Sequence, residues 1–257
     1  MKQRLKILLI TSIISLLIVS STYLLPYGFS AVHEGWAAKF WLFVSNTGGT
    51  AGVPLITIGF CMIISFQYSG WRRKLLSVII SLVLFSAVLG AFAQFNEYSI
   101  KERLKIERPN IKYLASEKGF NSEHFYSLDS KSERRQYLQT FIDNNQPGFI
   151  SFNGEQLHSD VLNHWLHETG YSFPSGHSVN AFLMATLMAY IILFIYNDYR
   201  RRLFFLVPFY WAILVALSRV ILGVHSPTDI SIGAITGSAA GYLLISFRFI
   251  DRLVKQK

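Results

Sequence analysis

The 257-residue chain is 51% hydrophobic and only 15% charged, whereas a soluble domain usually carries about 25% charged residues. Its mean hydropathy of +0.34 lies on the apolar side. These values exclude an ordinary soluble domain and predict an integral membrane protein. The single cysteine, Cys61, excludes an intramolecular disulfide and leaves the redox compartment open.

Six apolar runs approach the roughly 20 residues that a helix needs to cross a bilayer. They cover residues 5–25, 51–68, 75–95, 179–196, 203–222 and 230–247. The first run follows Lys2, Arg4 and Lys6, as a signal peptide would. Its apolar stretch is long, however, and the residues before Pro26 make a poor cleavage site, so we interpret it as a retained anchor. The sequence therefore predicts an all-α integral membrane protein with six transmembrane helices.

Basic residues collect at one set of helix ends. These ends carry 13 basic and 2 acidic residues, whereas the rest of the chain carries 11 basic and 13 acidic residues. Because cytoplasmic loops are enriched in Lys and Arg, both termini are expected in the cytoplasm. The formal net charge of +9 is then a topology signal. It is not interpreted as the footprint of a nucleic-acid-binding protein.

Two segments on the opposite side are long enough to have structure. The first, at 26–50, is expected to form a short interfacial element with aromatic anchors. The second is a polar insertion at about 96–173, between the third and fourth runs. A capping-box pattern at 130–133 predicts a helix to about Asn144, before Pro147, and a second helix is predicted over about 159–169. A solvated cap and a lid over a cleft through which a lipid enters both stay open.

The segment 170–177, Gly-Tyr-Ser-Phe-Pro-Ser-Gly-His, leads directly into the fourth apolar run. Ser175 and Gly176 lie where a loop turns into a helix, and the free N–H groups and dipole of a helix start favour an anion. His177 adds a group that can hold or deliver a proton near neutral pH. The stretch therefore predicts a phosphate cradle, although Pro-Ser-Gly also begins many ordinary helices.

Two cations follow the third apolar run. Its helix is expected to continue through Lys101 to Arg108, where Pro109 would end it. Since Lys101 and Arg108 are seven positions apart in the sequence, they would share one helix face, about two turns from each other. Together they could hold the oxygens of one phosphate. The alternative is a juxtamembrane stretch in which Glu102 and Glu107 are their partners.

The fifth run ends in Ser218-Arg219. Arg219 is expected at or just inside the membrane boundary, where an unpaired cation is costly, so an anion from the protein or from a substrate should lie beside it. His225 and Asp229 bracket the start of the sixth helix. Asp229 could accept a hydrogen bond from one ring nitrogen of His225 and leave the other nitrogen as a nucleophile. With Ser226 as N-cap and Pro227 as the first helical residue, Asp229 also suits a capping role.

The other histidines carry no comparable pattern. A metal site at His164, His167 and Glu168 is disfavoured, because no third well-spaced ligand follows. The remaining three are expected at the surface: His33, His124 and His158.

The three motifs together resemble the tripartite signature of the type 2 phosphatidic acid phosphatases. They are Lys-x6-Arg-Pro at 101–109, Pro-Ser-Gly-His at 174–177 and Ser-Arg-x5-His-x3-Asp at 218–229. The six-helix plan with its large insertion, and the His-Trp-x-x-Glu-Thr-Gly stretch at 164–170, resemble the bacterial phosphatidylglycerophosphatase B subgroup. The resemblance covers most of the chain and is weak at the N-terminal helix.

The resemblance implies a role for each motif residue. His225 would attack phosphorus, Asp229 would orient it, and His177 would protonate the departing oxygen and then help to activate water. No metal or other cofactor is expected, because fixed cations can neutralise the phosphate oxygens. The residues implied to bind the phosphate are Lys101, Arg108, Ser175, Gly176 and Arg219.

The implied protein is one membrane phosphatase domain over residues 1–257, in the bacterial inner membrane, with its active site facing the periplasm. Its expected partners are the bilayer and a membrane lipid phosphate, such as phosphatidylglycerol phosphate or undecaprenyl pyrophosphate, and no nucleic acid. The lipid and the oligomeric state stay open. A vanadate-dependent haloperoxidase is disfavoured by the six spans, since those relatives are soluble. A non-catalytic lipid-binding or transport protein would not need both His177 and His225.

Overall fold

The computed structural model describes residues 2–24, 32–145, 150–152, 155–196 and 198–247, which are almost entirely helical. The chain begins with α1 (Lys2–Ser20), α2 (Gly35–Thr47), α3 (Gly52–Ser65) and α4 (Trp71–Phe95). The middle contains α5 (Glu102–Leu104), α6 (Pro109–Lys118), α7 (Ser122–Ser127), α8 (Lys131–Asp143), an antiparallel hairpin of β1 (Ser151–Phe152) and β2 (Glu155–Gln156), and α9 (Ser159–His167). It continues with α10 (Gly176–Ile195), α11 (Tyr199–Arg202), α12 (Leu206–Ile221) and α13 (Pro227–Ser246).

The long apolar helices confirm the all-α membrane class. Among the described residues, five helices are long and apolar enough to cross a membrane, namely α1, α4, α10, α12 and α13. The pair α2 and α3 is bent by 59° and would supply a sixth span. The count of six therefore stays a prediction.

The second span differs from the expected continuous helix over 51–68. Helix α3 is only 14 residues long and follows a sharp turn. A Cβ atom at Gly52 would lie 2.3 Å from the Cα atom of Thr47, so the turn needs a residue without a side chain. Helix α2 occupies much of the segment expected to be interfacial, of which residues 26–31 lie outside the described part.

The centre of the membrane bundle is α10. In the most apolar 18-residue stretch of α10, 78% of the residues are buried. The corresponding shares are 28% for α1 and 22% for α4, whose outer faces can contact lipid. Helix α10 packs most closely on α13, where Gly233, Gly237 and Gly241 lie on one face. A Cβ atom at Gly237 would lie 2.2 Å from the carbonyl oxygen of Val179. Small residues thus let the two helices approach to backbone contact.

Helices α6 to α9 and the hairpin form a cap with its own apolar core. Trp165 of α9 is fully buried in this core. Its indole Nε1 donates to the carbonyl oxygen of Leu222 over 2.7 Å. Because Leu222 begins the loop between α12 and α13, this bond fixes the cap onto that loop.

Both helices expected in the insertion are present. Helix α8 begins with the predicted capping box, in which Ser130 accepts from the Glu133 N–H and Glu133 accepts from the Ser130 N–H. It ends at Asp143, one residue before the expected end, and Pro147 lies outside the described residues. Helix α9 ends at His167, two residues earlier than expected, because Glu168 leaves the helical conformation as its C-cap.

The prediction for the third helix beyond the membrane is wrong. After α4 the chain widens into a π-helical turn, continues as α5 and stops at Lys105, whose φ of 47° is left-handed. Pro109 begins α6 instead of ending α4. The residue before a proline disfavours the helical region, and Arg108 is accordingly extended, whereas proline itself suits the first helical position. Lys101 and Arg108 therefore do not share a helix face.

Candidate active site

The three motifs meet where the membrane bundle contacts the cap. Their charged side chains are nearly excluded from solvent, and Arg219 and His225 have 0% and 1% exposure. A buried charge is costly unless it is paired and hydrogen-bonded. The partners of these groups therefore define the site.

His225 lies in the loop between α12 and α13, directly before the N-cap of α13. Its Nδ1 atom is 3.4 Å from Oδ2 of Asp229. The same oxygen accepts from the backbone N–H of Ser226 over 2.8 Å, and the Ser226 hydroxyl accepts from the Asp229 N–H. The carboxylate of Asp229 therefore makes both predicted interactions, the capping of α13 and the contact with His225.

The second ring nitrogen of His225 contacts Arg108. Nη1 of Arg108 lies 3.3 Å from Nε2 of His225. Because a guanidinium group can only donate, Nε2 is the unprotonated acceptor and the ring proton lies on Nδ1, toward Asp229. Burial, and then the charge of Arg108, lower the pKa of His225 to about 3, although Asp229 opposes the shift. The imidazole is neutral at neutral pH and carries a lone pair at Nε2, which is the nucleophilic form.

Arg108 is held by backbone carbonyls and one carboxylate. Its Nε donates to Gly170 over 2.8 Å and its Nη1 to Val224 over 3.0 Å. Its Nη2 lies 2.8 Å from Oε2 of Glu168. These contacts fix the plane of the guanidinium group, so that its Nη1 atom is directed toward His225.

Arg219 meets the anion that its position required, and that anion is Glu168. Its Nη2 pairs with Oε1 of Glu168, and its Nη1 donates to Ser45 Oγ and, over 3.1 Å, to His164 Nε2. One carboxylate thus joins Arg108 and Arg219. Within the described part of the chain, Arg219 Nε is buried without a hydrogen-bond partner. An unpaired buried donor is costly, so this atom is available to an oxygen of a bound ligand.

The charges around Glu168 shift its pKa and that of His164. Burial opposes ionisation of Glu168, but the guanidinium groups of Arg219 and Arg108 hold its pKa well below the usual range. Burial, and then Arg219, lower the pKa of His164 to about 4. Around neutral pH the cluster therefore holds a carboxylate and a neutral imidazole beside the two arginines.

Lys101 reaches the same cluster from the end of the π-helical turn. Its Nζ lies 3.0 Å from Oε2 of Glu97, which also pairs with Lys131 of the cap. It interacts electrostatically with Arg108 and Glu168. Lys101 and Arg108 thus lie near each other because the chain turns after Lys105, and not because they share one face of a helix.

The predicted helix start at Ser175 is present. Ser175 is the N-cap of α10, and Gly176 is its first residue. The Ser175 side chain accepts from the N–H of Ser178, and its own N–H donates to the carbonyl oxygen of Asp229 over 3.0 Å. His177 follows, half-buried and within electrostatic reach of Arg219 and His225. The cradle and the two histidines therefore lie in one site.

The sequence of this chain is similar to those of known proteins. The family model of the PAP2 superfamily matches residues 74–252. The chain belongs to the PAP2 superfamily. Phosphatidylglycerophosphatase B of Haemophilus influenzae is 26% identical over 218 residues, which cover 82% of this chain and 82% of that protein. Phosphatidylglycerophosphatase B of Bacillus subtilis is 31% identical over 121 residues, which cover 42% of this chain and 60% of that protein.

A solved structure shares the PAP2 fold. The transmembrane PAP2 type phosphatidylglycerolphosphate phosphatase from Bacillus subtilis has a TM-score of 0.51 and 18% identity, and the match covers 99% of this chain and 96% of that chain. The family match and the relatives identify the chain as a membrane lipid phosphatase of the PAP2 type, and the solved structure supports its fold. The haloperoxidase and the non-catalytic alternatives are not favoured.

Some residues of this PAP2 site were not expected from the sequence. The sequence places Glu168 in the subgroup pattern and in a disfavoured metal site, and only the need of Arg219 for an anion indicated its role here. Ser45 gave no signal, because its contact with Arg219 joins distant parts of the chain. The pair of Glu97 with Lys131 is also distant in the sequence, whereas the four-residue spacing of Glu97 and Lys101 was a local signal for their contact. In the described part of the chain, no group of three or more His, Cys, Asp or Glu side chains could hold a metal ion.

The three histidines expected at the surface differ in exposure. His124 is exposed. His33 is half-buried and pairs with Glu155 over 2.9 Å, and His158 is half-buried at the N-cap of α9. The motif residues, by contrast, all lie at the one site: Lys101, Arg108, Ser175, Gly176, His177, Arg219, His225 and Asp229.

Proposed function

We propose that this PAP2 protein removes the terminal phosphate of a membrane lipid phosphate through a phosphohistidine at His225. The observation that carries the proposal is the state of His225, whose Nδ1 faces Asp229 while Nε2 is unprotonated beside Arg108. A neutral imidazole that is oriented by a carboxylate is an activated nucleophile. The adjoining cations supply the charge that a transferring phosphoryl group requires.

In the first step, Nε2 of His225 bonds to phosphorus as the bond between phosphorus and the lipid oxygen breaks. His177 gives its proton to that oxygen, so that the lipid leaves as an alcohol or, from a diphosphate, as a monophosphate. His177 must therefore carry this proton when the step begins. In the second step, His177 takes a proton from a water molecule whose oxygen bonds to phosphorus. The bond between phosphorus and Nε2 of His225 breaks, and inorganic phosphate leaves.

Three cations and a helix start bind the phosphate in this proposal. Lys101, Arg108 and Arg219 neutralise its oxygens. The Nε atom of Arg219, which has no hydrogen-bond partner among the described residues, supports the assignment. Glu168, which pairs with both arginines, offsets part of their positive charge and holds the two guanidinium groups beside each other. Ser175 and the N–H of Gly176 complete the cradle at the start of α10.

The proposed substrates are phosphatidylglycerol phosphate, undecaprenyl pyrophosphate or related lipid phosphates. The names of the relatives support the first of these. We place the protein in a bacterial inner membrane, with cytoplasmic termini and the site at the periplasmic face. The excess of basic residues at one set of helix ends supports this orientation.

Phosphate release from the purified protein in detergent micelles tests the proposal. Phosphatidylglycerol phosphate, phosphatidic acid, its lyso form, diacylglycerol pyrophosphate and undecaprenyl pyrophosphate should be compared side by side, with His225→Ala as the inactive control. Turnover of at least one lipid by the wild type, and of none by the variant, is expected. Halide oxidation with added vanadate and no phosphate release would favour the haloperoxidase alternative.

A further inference from the structure

The turn between α2 and α3 lies against the active site, although it precedes the part of the chain that matches the family. Ser45, near the end of α2, is fully buried and accepts a hydrogen bond from Nη1 of Arg219. A Cβ atom at Gly49 would lie 3.2 Å from Nε2 of His177. The end of α2 and the turn after it thus lie beside a proposed phosphate-binding residue and the proposed proton donor.

The turn is fixed to α12, which carries Arg219. The indole Nε1 of Trp211 donates to the hydroxyl oxygen of Thr47 over 2.9 Å. A Cβ atom at Gly48 would lie 2.4 Å from a methyl carbon of Val215, so the backbone there already contacts α12. The turn cannot move away from His177 without breaking these contacts.

The absence of a side chain at Gly49 is not required by the backbone. Its φ lies outside the left-handed region that favours glycine. The neighbouring side chain explains the glycine better, because a methyl group at this position would be in close contact with the imidazole of His177. A proton donor must lie about 2.6–3.2 Å from the oxygen that receives the proton. The space beside Nε2 is where that oxygen has to fit.

We propose that Ser45 and Gly49 are positioning residues of the phosphatase reaction. Ser45 holds the guanidinium group of Arg219 toward the phosphate, and Gly49 leaves beside His177 Nε2 the space that the leaving oxygen occupies. The inference rests on the proposed function, since it assigns these residues through Arg219 and His177.

Substitutions at Gly49 and Ser45 should differ in how their effect on the rate depends on the leaving group of the substrate. A lipid alkoxide is a poor leaving group and needs the proton from His177, whereas nitrophenolate leaves without one. Gly49→Ala should therefore slow the first step with a lipid phosphate by about tenfold to a hundredfold. The first step with nitrophenyl phosphate should change by less than about threefold. Ser45→Ala should slow both substrates alike and weaken inhibition by orthovanadate, because Arg219 contacts the phosphate and not the leaving group.

Rapid-quench measurement of the first step tests the proposal. Gly59→Ala is the matched control, because it lies in α3 and an added Cβ atom there meets none of the described residues within 4 Å. It should match the wild type with both substrates. Equal losses with both substrates, or no loss with the lipid, for Gly49→Ala would overturn the role of Gly49. Unchanged rates and unchanged vanadate inhibition for Ser45→Ala would overturn the role of Ser45.

A double variant keeps the test decisive if Gly49→Ala folds poorly. Removing the ring in His177→Ala also removes the steric contact, so Gly49→Ala should cause no further loss in that background. An additional loss there would show that Gly49 acts elsewhere and would overturn the inference. A wild-type protein that hydrolyses neither the lipid phosphate nor nitrophenyl phosphate would instead refute the proposed function.

Discussion

The backbone N–H of Ser175 donates to the carbonyl oxygen of Asp229 over 3.0 Å, which joins the start of α10 to the start of α13. This bond couples the proposed phosphate cradle to the carboxylate that faces His225. It depends on the close approach of the two helices, because a Cβ atom at Gly233 would lie 2.8 Å from the carbonyl oxygen of Ser175. The geometry of the site is therefore set by glycines within the bundle.

We expect Gly237→Ala to separate α10 from α13 and to impair both stability and catalysis. Its methyl group would meet the backbone of Val179, and overpacking of this kind costs about 1–3 kcal/mol. Turnover should fall with the thermal unfolding midpoint in detergent. Gly90→Ala in α4 is the control, since no atom in the described part of the chain lies within 4 Å of a Cβ atom added there. An unchanged midpoint and unchanged turnover for Gly237→Ala would contradict the packing argument.

Loss of a phosphate-binding cation should be costly. Lys101→Ala and Arg108→Ala should each lower turnover on the order of a hundredfold or more, the scale for one electrostatic contact to a transition state. Arg103→Ala, an exposed cation between them, should have little effect. Steady-state phosphate release measures all three variants, and a comparable loss for Arg103→Ala would point to a general effect of surface charge.

The same cations should make a divalent metal unnecessary, because they already supply the positive charge. Full activity in excess chelator is expected. Loss of activity on chelation, followed by rescue with magnesium or zinc, would mean that the cations are misassigned.

The orientation in the membrane can be tested by labelling a cysteine. Thr228 is exposed at the start of α13, next to the site. In a Cys61→Ser background, Thr228→Cys should react with an impermeant thiol reagent in cells whose inner membrane is intact. Trp71→Cys, at the opposite basic end of α4, should react only after lysis. The reverse pattern would refute the periplasmic site.

Local signals in the sequence predicted local structure well. The capping boxes at Ser130 and Ser226 depend on residues three positions apart, and both are formed. The prediction that Pro109 ends a helix is wrong, because a proline suits both the end of one helix and the first residue of the next. The bonds made by Glu168 and Ser45 could not be predicted, since they depend on how distant segments pack around Arg219.

The lowered pKa of His164 predicts a loss of stability in acid. An ordinary histidine in the unfolded chain protonates below about pH 6.5, whereas His164 stays neutral in the fold until about pH 4. Because the unfolded chain binds the proton more readily, the free energy of unfolding falls as the pH falls between these values. For this residue the decrease is up to about 1.4 kcal/mol per pH unit. His225 adds a slope of the same sign, since its pKa is also lowered.

The thermal unfolding midpoint should therefore fall between pH 7 and pH 5 and should fall less in His164→Gln. Glutamine removes the titrating group and can still accept from Arg219. His124→Gln, at an exposed site, should keep the wild-type dependence. A midpoint that is independent of pH in the wild type would contradict the burial of a neutral His164.

The two histidines should differ in their effects on the covalent step. Nε2 of His225 is the proposed nucleophile, so His225→Ala should abolish both turnover and any acid-labile phosphoenzyme. Asp229→Asn should slow catalysis by about a thousandfold or more, because an amide no longer stabilises the charged imidazole and can favour the wrong tautomer. Its helix content should stay near that of the wild type.

His177 should show the opposite pattern with an activated substrate. Because nitrophenolate leaves without a proton, His177→Ala should lose less of the first step than of the second, in which water must be activated. Rapid-quench labelling with phosphorus-labelled nitrophenyl phosphate should then show phosphoenzyme that persists in His177→Ala and is absent from His225→Ala. Label that survives in His225→Ala, or stable label on Ser175, would assign the nucleophile to another residue.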